Sequence, residues 1–180
     1  LALVVLLGRG GLETRDLQRL RLLLFAGEVF PMKYLHRLTE ILPRPEFYNL
    51  YGPTETNVCT VHRVDRARLG TMATLPIGRA CANTEVFVVD DKGDLAPPGQ
   101  VGELFVRGPS VTKGYWGDTE KTSKAVVPNS FQPHFAESVY RTGDLVVLGE
   151  DGEYRFLGRR DNMIKSRGYR IELVGIETAL

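Results

Sequence analysis

Two apolar runs, Leu22-Leu23-Leu24-Phe25-Ala26 and Phe47-Tyr48-Asn49-Leu50-Tyr51, flank a single helical pattern, and this arrangement restricts the fold more than any other feature of the chain. The first run reads as a fully buried strand of the parallel type, ending at Gly27-Glu28. Pro31 then suits a first helical position. Leu35, Leu38 and Leu42 recur at a spacing that places them on one helix face, and Pro43 and Pro45 close the helix before the second strand. Strand, helix and strand form a βαβ unit. Its crossover is expected to be right-handed, which brings Gly27 and Tyr51 to the same sheet edge. Upstream, Leu1 to Leu7 reads as either a buried helix end or a buried strand, broken by the glycines at Gly8, Gly10 and Gly11.

From about Pro76 the signals change to short strands separated by turns. Glu85 to Val89 alternates before Asp91-Lys92-Gly93-Asp94, and Val101 to Val106 follows Pro97-Pro98-Gly99. A short helix is expected after Asp118, whose carboxylate can cap the amide of Glu120 or Lys121. Leu145 to Leu148 and Tyr154 to Leu157 flank Glu150-Asp151-Gly152, a strong hairpin turn. The expected fold class is α/β plus β. Residues 1–75 form an α/β portion containing the βαβ part of a parallel sheet, and residues 76–157 a small distorted β-barrel. Residues 158–180 hold a junction and the first strands, including Tyr169 to Ile171, of a truncated C-terminal α+β domain; the chain reads as a fragment.

The stretch Asn49-Leu50-Tyr51-Gly52-Pro53-Thr54-Glu55 ends the second strand at a Gly-Pro turn. Open α/β sheets place ligands at such strand ends, so Thr54 and Glu55 are expected at a crevice rim. Thr54 can donate to a phosphate oxygen, Glu55 can supply a hard oxygen ligand to Mg²⁺, and Tyr51 offers a face for a base. Taken alone, the stretch fits a bland surface turn equally well. Asp144 in Thr142-Gly143-Asp144 is similarly ambiguous. It suits the paired hydroxyls of a ribose, yet as a tripeptide it more simply caps a turn.

Of the 180 residues 43% are hydrophobic and 25% charged, which fits a globular chain with a real core. Lys plus Arg number 23 against 22 Asp plus Glu, so charge gives no reason to expect a nucleic-acid or membrane partner. No targeting segment is visible, and the two thiols, Cys59 and Cys81, lack metal spacing and favour a reducing compartment, so a cytoplasmic location is expected. His36, His62 and His134 have no carboxylate or cysteine partner in sequence reach and are assigned no role. Ser130 and Ser138 lack the setting of a hydrolase nucleophile.

Further stretches carry a resemblance. Gly102-Glu103-Leu104 with Lys113-Gly114-Tyr115-Trp116, Tyr140-Arg141-Thr142-Gly143-Asp144-Leu145, and Gly158-Arg159-Arg160-Asp161 running through Lys165-Ser166-Arg167-Gly168-Tyr169-Arg170-Ile171-Glu172-Leu173 follow the Asn49–Glu55 stretch in order. Together they resemble successive core motifs of the adenylate-forming superfamily: acyl-CoA synthetases, adenylation domains of nonribosomal peptide synthetases, and beetle luciferases. The resemblance covers nearly the whole chain. It implies an ATP-dependent ligase that activates a small carboxylic acid as acyl-AMP, with ATP/AMP and Mg²⁺ as cofactors, and passes it to a thiol. The acceptor is the phosphopantetheine of a carrier protein or CoA. Phe25-Ala26-Gly27-Glu28 and Thr54-Glu55-Thr56-Asn57 look most like the carrier-protein branch. The alternatives are an acyl-CoA synthetase and a non-catalytic nucleotide-binding module.

Residue by residue, the resemblance implies that Asn49 meets the adenine amino edge, Tyr51 stacks on the ring and Thr54 reaches the α-phosphate. Glu55 holds Mg²⁺, Gly27 passes close to the nucleotide, Asp144 holds the ribose hydroxyls and Arg159 contacts ribose or phosphate. Phe156 stands where family members carry Tyr. Leu24, Ala26, Leu50, Val58 and Cys59 line the acyl pocket, which is apolar. Asp161 is the implied hinge, and Lys165 and Gly168 belong to the thiol step. The family's phosphate loop is expected upstream of these residues, and its catalytic lysine downstream.

Overall fold

The computed structural model describes residues 2–160, with side chains, and the backbone of residues 163–166 and 169–172. Helix α1 (Ala2–Arg9) settles the opening apolar run as helical, and β1 (Leu22–Ala26), α2 (Met32–Ile41) and β2 (Glu46–Tyr51) build the expected βαβ unit. The two strands pair in parallel from Leu22 opposite Glu46 to Ala26 opposite Leu50. Pro31 lies one position before the expected one, as the extended N-cap of α2. There its carbonyl accepts from the amides of Tyr34 and Leu35, and its missing N–H costs nothing. Leu35 and Leu38 are fully buried and Leu42 nearly so, packing with Phe25, Phe30 and Phe47 in one core.

Strand β1 departs from the fully buried reading. Phe25 is enclosed, but Leu22 and Leu24 are about half exposed, at 47% and 53%. The cause is layering: α1 and α2 cover one face of the strand, and no described element covers the face to which alternate residues turn. The parallel pairing is also confined to β1 and β2. Strands β3 (Thr60–Arg63) and β4 (Arg79–Ala80) extend the sheet in the order β1-β2-β3-β4 with antiparallel pairings.

The second half contains β5 (Glu85–Val89), β6 (Val101–Arg107), α3 (Thr119–Ala125), β7 (Val126–Pro128), β8 (Ser138–Leu148) and β9 (Tyr154–Arg159). Asp118 caps α3, accepting from the Lys121 amide at 2.8 Å as expected. The strands run β5-β6-β8, with β7 and β9 sharing the far edge of β8, all antiparallel. Among the described residues these five strands form one sheet, and closure into the expected small distorted barrel is not seen there. The outermost strands do not pair with each other among the described residues, because β8 divides its length between two short partners.

The two sheets share a core. Tyr154 exchanges backbone bonds with Gly78, and Tyr51, Cys59 and Ile77 from the first part pack with Val86, Leu104, Val106 and Val146 from the second. Strands β10 (Met163–Ser166) and β11 (Tyr169–Glu172) pair antiparallel, with Lys165 opposite Arg170. The expected hinge Asp161 and Gly168 lie outside the described residues, as does the Lys165 side chain. No helix among the described residues is long and apolar enough to cross a membrane.

Candidate active site

The turn after β2 is tight because the chain doubles back on itself. The Cys59 amide donates to the Tyr51 carbonyl at 2.8 Å, and a Cβ on Gly52 would run into the Asn57 carbonyl oxygen, so only glycine fits there. Asn57 adopts the left-handed conformation, with φ of 55°. Thr54 is exposed at the tip, where a phosphate could reach it. Glu55 is not beside it on the rim but buried beneath, at 8% exposure. The loop after β6 lies across it: the Tyr115 hydroxyl donates to Glu55 Oε1 at 2.7 Å, and the Thr112 amide to the Glu55 carbonyl at 2.8 Å.

A second group forms where β2 meets β8 and β9. Cross-strand register sets Asp144 opposite Arg159, and Arg159 Nη1 donates to Asp144 Oδ1 at 2.6 Å and to the Thr142 carbonyl at 3.0 Å. The Tyr51 hydroxyl donates to Asp144 Oδ2, tying residues from opposite ends of the chain. Asp144 is fully buried, and the Tyr51 ring is 8% exposed and tilted against Phe156 at 6.5 Å. Burial first, and then the Asp144 charge, pushes the Tyr51 phenol well above its ordinary range, so the hydroxyl keeps its proton. A bulge between Leu145 and Val146 and the left-handed Gly143, with φ of 71°, aim this segment inward.

Residues to which the sequence reading gave no role support that segment. Glu103, buried within β6, accepts the Gly143 amide on Oε1 at 3.1 Å and Arg141 on Oε2 at 2.9 Å. Thr142 Oγ1 donates to the Leu104 carbonyl at 2.7 Å and accepts the Asp144 amide at 3.0 Å. The available signal for Glu103 was a carboxylate inside an otherwise apolar strand, which must find partners once buried. His62 also has the partner that sequence proximity did not offer: its Nδ1 lies 2.9 Å from Glu153 Oε1, in a nearly closed site.

Alternation along β2 divides the remaining expected residues. Phe47, Asn49 and Tyr51 turn inward, and Asn49 Nδ2 donates to the Pro76 carbonyl at 2.8 Å, so this amide ties β2 to the strand connection. Leu50 turns to the opposite face with Leu24 and Ala26, the last opposite it in register. Leu24 and Ala26 line a groove of about 380 Å³ with Val29, Phe30 and Tyr34. Val58 is half-buried, while Cys59 is fully enclosed in the core with Tyr51, where burial pushes its thiol up to about 12. The five expected acyl-pocket residues therefore do not share one surface. Gly27, with φ of 98°, stands exposed at the end of β1.

No group of three or more His, Cys, Asp or Glu side chains that could hold a metal by itself occurs among the described residues. Glu55 offers a carboxylate oriented by a neutral hydroxyl. Mg²⁺ typically takes one or two carboxylates plus phosphate oxygens and waters, so the residues present fit an ion shared with a nucleotide and not a protein-only cage.

A family profile described as AMP-binding enzyme matches residues 3–116, more than half of the chain. The chain belongs to the AMP-binding enzyme family. This member is 46% identical over 162 residues to the L-proline--[L-prolyl-carrier protein] ligase of Streptomyces coelicolor, covering 89% of the chain and 29% of that relative. Its fold matches the crystal structure of IdnL1 with a TM-score of 0.89 and 35% identity, over 96% of this chain and 36% of that one. It also matches the Vibrio cholerae adenylation domain AlmE in complex with glycyl-adenosine-5'-phosphate, with a TM-score of 0.82 and 34% identity, over 98% and 33% of the two chains. The AMP-binding enzyme chain thus spans about a third of the length of these relatives.

Proposed function

We propose that the chain is part of an ATP-dependent adenylating ligase. A carboxylate oxygen of a small acid attacks the α-phosphorus of ATP, pyrophosphate leaves, and acyl-AMP results. A carrier-protein phosphopantetheine thiol then attacks the acyl carbon and releases AMP. The observation that carries this reading is the junction of Tyr51 with Asp144 and Arg159. It joins the Gly-Pro turn bearing Thr54 and Glu55 to the Thr-Gly-Asp segment at the carboxyl ends of β1 and β2, where α/β folds bind nucleotides. The similarity to an L-prolyl-carrier protein ligase and to an adenylation domain in complex with glycyl-adenosine-5'-phosphate supports an amino acid as substrate and a carrier protein as acceptor.

In this reading Thr54 donates to the α-phosphate and Glu55 holds Mg²⁺, which when bound offsets the negative charge of the phosphates. Tyr51 and Phe156 flank the base, Asn49 and Gly27 border it, and Asp144 accepts from the ribose. Each Asp144 oxygen keeps a second lone pair beside its present donor, but the residue is fully buried. A ribose contact therefore requires the Tyr51 side chain to move off Asp144 Oδ2. The apolar face of Leu24, Ala26 and Leu50 suits an apolar substrate side chain, and the half-buried Val58 and the enclosed Cys59 stand apart from it. Asp161 serves as the hinge, and Lys165 and Gly168 border the path of the thiol. In this reading the enzyme is cytoplasmic and residues 76–157 belong to a small distorted β-barrel of the longer domain.

The test is amino-acid-dependent exchange of labelled pyrophosphate into ATP by the full-length protein. Exchange with an apolar amino acid, followed by loading of a carrier protein but not CoA, is expected. Loading of CoA would favour an acyl-CoA synthetase, and nucleotide binding with no exchange across a broad acid panel would make it a binding module.

A further inference from the structure

The loop 111–117 is tied closely to the Glu55 turn. Thr112 bonds the Glu55 main chain and Tyr115 its carboxylate, although the two stretches stand far apart in sequence. The loop is itself anchored on the start of α3. The Tyr115 amide donates to Thr122 Oγ1 at 2.8 Å, Thr122 Oγ1 donates to the Asp118 carbonyl at 2.7 Å, and Asp118 caps the helix. Gly114, with φ of 140°, passes so close to Thr122 that a Cβ there would lie 2.5 Å from Thr122 Cγ2. The main chain that carries the Tyr115 ring is therefore held in place. Lys121, one turn into α3, sets its ammonium 4.7 Å from the centre of that ring. A cation over the π face draws electron density from the ring and makes the phenol a stronger donor.

We propose that Tyr115 is a positioning residue: its hydroxyl fixes the orientation of the Glu55 carboxylate that takes the divalent cation of the nucleotide. The inference rests on the reading of Glu55 as the metal-holding carboxylate. A buried carboxylate on a tight turn could rotate about its terminal bonds, and the Tyr115 donor on Oε1 restricts that freedom while a carboxylate oxygen retains capacity to accept a cation. Hydrogen-bonded partners of metal-holding carboxylates commonly govern metal affinity by about 10–100-fold. Tyr115 touches neither nucleotide nor acid in this role and acts through Glu55. Lys121 acts one step further out, by polarising the phenol.

The experiment uses the full-length protein with the non-hydrolysable α,β-methylene analogue of ATP, and Mn²⁺ as the probe cation. Bound Mn²⁺ is read by electron paramagnetic resonance, and AMP affinity is measured in parallel without metal. Tyr115→Phe is expected to weaken Mn²⁺ about tenfold, at the lower end of that range, and to leave metal-free AMP affinity unchanged. Lys121→Met, at an exposed position that tolerates exchange, is expected to weaken Mn²⁺ about two- to threefold, because it removes only part of the donor strength. Glu55→Gln calibrates the site with the largest loss. Normal Mn²⁺ affinity in Tyr115→Phe, or equal losses of Mn²⁺ and metal-free AMP, overturns the positioning role. If Tyr115→Phe does not fold, unchanged Mn²⁺ affinity in Lys121→Met overturns it instead. Unchanged Mn²⁺ affinity in Glu55→Gln overturns the metal assignment itself, which separates failure of the underlying reading from failure of this one.

Discussion

Replacing Asp144 by Asn keeps the shape of the side chain and removes its charge, and the structure allows the cost to be worked out. Asp144 is fully buried and accepts from two donors, the Tyr51 hydroxyl and Arg159 Nη1 at 2.6 Å. The Asn amide presents one oxygen and one NH₂ group, so one of the two donors must face another donor or turn away. The Arg159 side chain is only 10% exposed, so its guanidinium loses the Asp144 charge in a place that water barely reaches. Removing one partner of a buried pair typically costs about 3–5 kcal/mol. Arg159 keeps its bond to the Thr142 carbonyl at 3.0 Å, which places the expected loss near the lower bound, about 3 kcal/mol. In a chain of this size that corresponds to a fall of about 6–12 °C in melting temperature. Urea unfolding of Asp144→Asn, Arg159→Met and the double variant completes the measurement. A coupling of about 1.5–3 kcal/mol is expected, because each substitution removes the same contact. A cost below about 1 kcal/mol for Asp144→Asn, or strictly additive single effects, would refute the buried ion pair as an organising element of the site.

Three further outcomes follow from other parts of the molecule. At pH 8 a thiol reagent should modify Cys81 while Cys59, enclosed and with its thiol pushed up to about 12, reacts only after denaturation; two fast-reacting thiols in the native chain would contradict this. The bond from Arg155 lowers the Asp151 carboxyl from 3.8 to about 2, so its contribution is present above 3.8 and lost as pH falls through about 2. With nearly a third of the side chain exposed, solvent screening limits that contribution to about 1 kcal/mol, and Asp151→Asn should flatten the acid limb of a stability–pH curve by that amount. Gly52→Ala should cost about 3 kcal/mol in urea unfolding, because the added Cβ meets main chain and not a side chain that could move; a loss under about 1 kcal/mol would show that the turn opens freely.

Local pattern alone determined the elements whose partners are near in sequence. The βαβ unit, the stripe of Leu35, Leu38 and Leu42, the Asp118 cap and the β8–β9 hairpin all follow from periodicity, turn chemistry and short-range hydrogen bonding. The family resemblance of the motif stretches assigns Tyr51, Asp144 and Arg159 to one nucleotide site, and in the fold Tyr51 and Arg159 each bond to Asp144. What tertiary structure alone decided is which face of each strand is covered and which distant groups meet. Whether Leu24 is buried depends on a second layer that its own neighbours do not encode, and whether β5 to β9 close into a barrel depends on how β8 shares its edge. The partners of Glu55, Asp144 and His62 come from Tyr115, Tyr51 and Glu153, each distant in the chain. A buried polar group requires a partner, and residue type makes that requirement legible. Its identity is set by the register and layering of whole sheets, because only these bring groups far apart in the chain within the 3 Å or so of a hydrogen bond.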